Sequence, residues 1–163
     1  IEPEGGEPFL DDPPVADGKR VSLTDTDHHC GLCGDAEFPW KALTRGHNPI
    51  FMDPMDADSN REAIRWALGN ARHYALRMDL SASRPRPDLS STRFCLAVPG
   101  RQYLVYQPGS GAFSVDLRGS RAAYRIEWFQ PSSGRRWFSR IVGGARRMFR
   151  PPVATPVVLF LHR

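Results

Sequence analysis

Asp25, Asp27, His28 and His29 stand together in the run DTDHHC, and Cys30 and Cys33 form a Cys-x-x-Cys pair directly after them. Acids two residues apart share one face of an extended strand. Asp25 and Asp27 could therefore point into one pocket. Paired carboxylates are what glycoside hydrolysis needs, one as nucleophile or base and one as an acid of raised pKa. Asp53 closes the next short apolar run and would join the same rim. The same acids equally suit an Asp-rich loop that forms Asx turns and caps a helix. Cys30 and Cys33, with His28, would also supply three of the four tetrahedral ligands of zinc. A structural zinc site needs a second pair at a set spacing, and neither the adjacent histidines nor His47 provide one. No βαβ pattern surrounds the cysteines as in a thioredoxin-like redox motif. The expectation is no cofactor and no metal, with Cys30, Cys33 and His28 as the alternative metal ligands.

The elements that would position this cluster are short. Residues 1–18 are rich in Pro, Gly and acids and read as an irregular lead-in. KRVSLT, residues 19–24, is a strand candidate that runs straight into the acids. FPWKALTRG suits one or two helical turns closed by Gly46. NPIFMD is a second short strand, bounded by Pro49 at its start and by Asp53 and Pro54 at its end. A longer helix follows. Ser59 as N-cap and Glu62 three residues on make a capping box. Ile64, Ala67, Leu68, Ala71, Tyr74, Ala75 and Met78 form an apolar stripe at helical spacing, extending to about Asp79. Strand, helix, strand, helix fits the last two β/α units of a larger α/β fold. In a (β/α) barrel the acids would sit at the C-terminal mouth of the strands, where catalytic residues gather. Two strands cannot by themselves build a covered parallel sheet.

SASRPRPDLSS then reads as a linker, and beyond it the apolar period changes to two. RFCLAV, QYLVYQ, AFSVDL, AYRIEWF, RWFSRIV, RRMFR and PVVLFLH are strand candidates separated by Gly and Pro turns, which suggests a small antiparallel β-sandwich. The expected architecture is thus α/β plus all-β: the last two units of a TIM barrel followed by a sandwich. The expected divisions are residues 1–80, a linker at 81–92, and residues 93–163.

Composition narrows the partners. No apolar run approaches the roughly 18–20 residues that span a membrane. No signal-peptide pattern is visible, and a start at Ile1 rather than Met reads as a processed or truncated chain. Three cysteines are too few for a disulfide scaffold. The net charge of +4 conceals a split. Residues 1–92 hold 10 Lys/Arg and 16 Asp/Glu, a net of −6, whereas residues 93–163 hold 12 Arg and two acids, Asp116 and Glu127, a net of +10. A basic surface attracts anionic polymers; equally, it is a solvated face that docks on the acidic half. No recognition helix or RNP-like motif supports nucleic acid. Trp128 alternates with core residues, so Trp137, beside Arg135 and Arg136, is the better surface ring for stacking on a sugar.

Three runs carry a resemblance: DGKRVSLTDTDHHCGLCGD, KALTRGHNPIFMDP, and STRFCLAVPGRQYLVYQPGSGAFSVDLRG with YRIEWFQPSSGR beyond it. Together they resemble the C-terminal part of the apiosidase-like (β/α)8 glycoside hydrolases, which carry an appended β domain of the collagen-binding type named for a collagenase. The resemblance implies that RVSLTD is the seventh barrel strand and PIFMD the eighth. Asp25 then falls at the nucleophile position, where relatives more often have Glu, and Asp27 competes with it. His28, His29, Asp53 and Trp40 would be substrate-binding, and Trp137, Arg135 and Arg136 would serve the accessory domain. Closer relatives read DTDHLWGIGGD, so Cys30 replaces a Trp and Cys33 a Gly. The implied function is that of a C-terminal fragment of a polysaccharide-cleaving hydrolase, secreted or in the cell envelope, whose acid/base lies outside this sequence; the piece alone would not catalyse. Its partners would be a glycan substrate and, through the basic β domain, collagen or an acidic polymer. The alternative is a stand-alone carbohydrate- or collagen-binding or structural module without catalysis.

Overall fold

The computed structural model describes residues 7–154 and 156–163; residues 1–6 of the lead-in lie outside the described part. In chain order the elements are α1 (Glu7–Asp11), β1 (Ser22–Asp25), α2 (Thr26–His29), α3 (Phe38–Thr44), β2 (His47–Ile50), α4 (Ser59–Ala75), β3 (Arg84–Pro85), a 3₁₀ turn at Pro87–Leu89, β4 (Cys95–Val98), β5 (Gln102–Gln107), β6 (Phe113–Asp116), β7 (Ala123–Phe129), β8 (Arg136–Val142), β9 (Arg146–Phe149) and β10 (Val157–His162).

The molecule is organised around one six-stranded antiparallel sheet, ordered β3-β4-β5-β10-β7-β8. Its strands β4, β5 and β10 are buried on both sides because both faces are covered there. On one face, β6 and β9 pair as a two-stranded sheet. Phe113, Val115 and Phe149 from it pack with Tyr103, Val105, Tyr124, Ile126, Trp128, Leu159 and Leu161. On the other face lie α3 and α4. Trp40, Leu43, Ala67, Ala71, Tyr74 and Met78 pack with Phe94, Leu96, Leu104, Tyr106, Phe129, Val158 and Phe160. That second face accounts for the continuous apolar run of β10: a strand buried on both faces loses the alternation of a half-exposed one.

This overturns the expected fold class. A barrel segment would use its helices to cover its own parallel strands. Here β1 and β2 do pair in parallel, from Ser22 with His47 to Asp25 with Ile50, but they form an isolated two-stranded sheet. The apolar stripe of α4 goes to the antiparallel sheet instead. The described chain is a small β-rich mixed unit with few helices, and no half of a TIM barrel is indicated.

α4 is held to the sheet by polar ties as well. The Trp66 indole donates to the Pro131 carbonyl at 2.8 Å. Beyond its other end the Gln102 amide accepts from the Asp79 N–H at 2.8 Å and donates to the Arg77 carbonyl at 2.9 Å, which fastens the chain leaving the helix to β5. Two local expectations shift here. Asp58, extended at φ −83° and ψ 130°, is the N-cap, accepting from the Arg61 N–H at 3.0 Å, so Ser59 is already helical. α4 ends at Ala75, short of Asp79, and the linker contains β3 and the 3₁₀ turn. Gly46 closes α3 at φ +86°, where a Cβ would also meet the Pro85 ring at 3.0 Å. Salt bridges from Lys41 to Asp11 at 2.7 Å and from Arg45 to Asp12 at 2.8 Å fasten α3 to α1 and its end.

Candidate functional site

β1 ends at Asp25, and the chain turns at once into α2. Asp25 is extended at φ −102° and ψ 124°, and its Oδ1 accepts the Asp27 N–H at 3.1 Å. It is thus the N-cap of α2, the Asx role that the sequence left open beside the catalytic one. The helical turn also corrects the expected geometry: Asp27 belongs to α2, so period-two alternation does not align it with Asp25. Asp25 is half-buried and Asp27 exposed. Between them the buried Thr26 accepts the Met52 N–H at 2.9 Å on its hydroxyl, which ties this corner to the chain after β2.

Asp53 is not free to act in that corner. Arg65 of α4 donates to it through Nε at 2.6 Å and Nη2 at 3.0 Å, and the Met55 N–H adds a bond at 2.9 Å. The Arg65 bonds, then the Met55 bond, hold its carboxyl below the usual range. His28 is exposed, and the His29 ring stacks on Phe9 with centroids 4.4 Å apart. Trp40 lies fully buried, against Tyr74, Tyr106 and Phe129, and has no surface to offer a sugar. Its aromatic neighbours arrive from α4, β5 and β7, so nothing local in sequence marked it as core.

Cys30 and Cys33 are joined in a disulfide packed on the small cluster of Phe9, Leu10, Phe38 and Ala42. That leaves neither thiolate for zinc. Among the described residues no group of three or more His, Cys, Asp or Glu side chains is placed to hold a metal ion. Cys95 is fully buried, and burial pushes its thiol up to about 12, which makes it unreactive near neutrality.

The accessory trio divides across the pleat of β8. Trp137 pairs with Trp128 on the side of the β6–β9 layer and is half-buried there, with Arg135 over its ring at 5.7 Å. Arg136 points to the helix side, over Phe129 at 4.9 Å and 3.3 Å from Glu127. The three do not form one patch.

Two features carry more electrostatics than the predicted rim. His47 is buried between β1 and the lead-in, contacting the Ser22 hydroxyl at 2.8 Å and the Pro14 carbonyl at 2.6 Å. Burial lowers its pKa, and a neutral ring that donates to Pro14 and accepts from Ser22 fits both contacts. Glu127 is 4% exposed at the seam between β7 and α4. Tyr74 donates to it at 2.6 Å, and Arg77 donates at 3.1 Å and 2.6 Å to its two oxygens. Burial opposes its charge, but the bonds from Arg77 and Tyr74 outweigh it and hold the carboxyl below its ordinary range. Its scarcity was the one available signal, since Glu127 is one of two acids among 12 arginines in residues 93–163.

No family model matches the chain, and no curated protein matches it. A solved structure described as "Glycoside hydrolase" is similar at a TM-score of 0.56 and 12% identity, over 93% of this chain and 40% of that one. The likeness shows a shared fold, and this chain spans well under half the length of that neighbour.

Proposed function

We propose that this chain is part of a larger glycan-cleaving hydrolase, in which Asp25 or Asp27 contributes one carboxylate of the cleaving pair. The observation that carries the reading is the fold shared with a glycoside hydrolase over 93% of the chain. The local chemistry supports it. Asp25 stands at the end of a parallel strand, one oxygen engaged by a backbone N–H, and Asp27 stands exposed one turn residue further on. His28 lies beside them as a polar contact for a sugar hydroxyl. The second carboxylate, about 5–9 Å away in such enzymes, would come from the rest of the protein.

The division of labour we propose follows the chain: residues 1–80 carry the cleavage rim, 81–92 connect, and 93–163 form an accessory β unit. The finer reading places the protein near the apiosidase-like enzymes, on the three runs quoted above, and gives the β unit collagen or an acidic polymer as its ligand. A secreted or envelope location agrees with the Cys30–Cys33 disulfide, since disulfides persist in oxidising compartments. One observation favours a second reading, a binding or structural module without catalysis: Asp25 spends a carboxylate oxygen on capping α2.

Hydrolysis of neutral and acidic plant polysaccharides by the full-length protein separates the two. Asp25→Asn or Asp27→Asn should lower kcat by about a thousandfold or more, the scale of losing a reacting group, with the fold intact by circular dichroism. Unchanged turnover in both variants would reject the catalytic reading and leave the module.

A further inference from the structure

We infer that the uncovered end of the helix-side sheet face is a binding site for a uronic-acid-bearing glycan, centred on Arg125, Arg140 and Phe138. The register places these residues. On that face His162, Arg125 and Arg140 stand in one row across β10, β7 and β8, and Phe160, Glu127 and Phe138 stand in the next. Tyr74 of α4 packs on Phe160, at the β10 end of the second row, while Arg125, Phe138 and Arg140 are exposed. What remains is an open cleft of about 600 Å³, lined by Arg77, Arg125, Phe138, Arg140 and His162. Small-ligand sites run from about 300 to 1,000 Å³.

The charges in this cleft are unbalanced. Arg125 and Arg140 lie directly opposite each other, an arrangement that destabilises a sheet. Among the described residues, no hydrogen bond or ion pair is found for either guanidinium. The nearest acid, Glu127, already serves Tyr74, Arg77 and Arg136. Charged residues on an edge strand can serve to block sheet-to-sheet pairing. That accounts for Arg140 on β8, but Arg125 lies on β7, an inner strand paired on both sides.

The ring beside them selects the ligand. Phe138 is 71% exposed, between Arg136 and Arg140 on the same face. An exposed aromatic ring offers a stacking surface to the apolar face of a sugar. A guanidinium fork matches a planar carboxylate with two parallel bonds. A uronate unit has both groups on one ring. The walls are preset: Arg77 is fixed by Glu127 and lies over Phe160 at 4.7 Å, and the His162 ring stacks on Phe160 at 5.0 Å. The site does not depend on Asp25 or Asp27 and requires no catalysis.

Calorimetric titration of the chain with oligogalacturonate, with its fully methyl-esterified counterpart and with a sulfated oligosaccharide tests the inference. The free acid should bind about tenfold or more tightly than the ester, the scale of one charge-assisted contact. Arg125→Gln and Arg140→Gln should each weaken it by a similar factor, and Phe138→Ala by about fivefold. Arg150→Gln, which removes an equal charge outside the cleft, should leave it within about twofold. Equal loss in Arg150→Gln, no discrimination between acid and ester, tighter binding of the sulfated oligosaccharide, or no binding at all would each overturn the site. The ester comparison uses the unmodified chain, so it stands whether or not a variant folds.

Discussion

The corner at Asp25 and the seam at Glu127 set the same functional group in opposite surroundings. At the corner, carboxylates are exposed or half-exposed and engaged chiefly by local contacts: Asp25 with the Asp27 N–H, Asp53 with Arg65 and Met55. At the seam, one carboxylate is sealed between a helix and a sheet by residues 50 and 53 positions away in sequence. A carboxylate in water costs little and holds little. One withdrawn from water must be fully paired, and then removing any partner is expensive. The seam therefore joins the two halves of the chain, while Asp25 and Asp27 at the corner stay in reach of solvent.

The largest test of this contrast is Glu127→Ala. It should lower stability by about 3 kcal/mol, because Arg77 and Tyr74 lose their shared acceptor at a largely buried site; urea unfolding measures it. A loss below 1 kcal/mol would mean that the seam is no more costly than a surface pair. The seam should also show in acid. The folded pKa of Glu127 is depressed, so its stabilisation is complete above the ordinary carboxylate value of 4.5 and is lost as pH falls through the folded value. Asp116, held to about 2 chiefly by Arg118, gives way in the same manner between 3.8 and about 2. Thermal melts should decline below pH 4.5, and Glu127→Gln should flatten the upper part of that limb. An identical slope in wild type and variant would remove Glu127 from the account.

Smaller effects are expected at the corner. Reducing the Cys30–Cys33 disulfide should cost about 2 kcal/mol, since so short a loop has little closure entropy to save. Melts with and without a phosphine reductant read it. Asp25→Ala should cost about 1 kcal/mol, the usual worth of an N-cap. A loss of 3 kcal/mol there would place the corner and the seam in the same class and erase the comparison.

Local pattern reached much of the second half of the chain. The period-two runs QYLVYQ, AYRIEWF and RWFSRIV coincide with β5, β7 and β8, and Trp128 is buried as its alternation implies. It did not reach the destination of the helices. The stripe on α4 shows that one side is apolar, and any apolar surface of the right shape satisfies it. A parallel sheet of its own and the antiparallel sheet of another segment look identical from within the helix. That ambiguity led to the barrel expectation. At the rim, the residue types in DTDHHC are legible, but the turn at Thr26 rotates Asp27 away from strand alternation, and Trp40 is core only because Tyr74, Tyr106 and Phe129 arrive from elsewhere.

The order of residues alone determined where the longer strands of the second half lie, that Gly46 closes the helix before it, and that charge is divided between the two halves. These follow from backbone sterics and from side-chain periodicity, both of which act over a few neighbours. Only the tertiary structure decided that Glu127 is sealed by Arg77 and Tyr74, that α3 and α4 cover a sheet formed later in the chain, and that Arg125 and Arg140 stand side by side on adjacent strands in an open cleft. Burial and pairing depend on what lies opposite, and that partner is separated in sequence by distances no local period records.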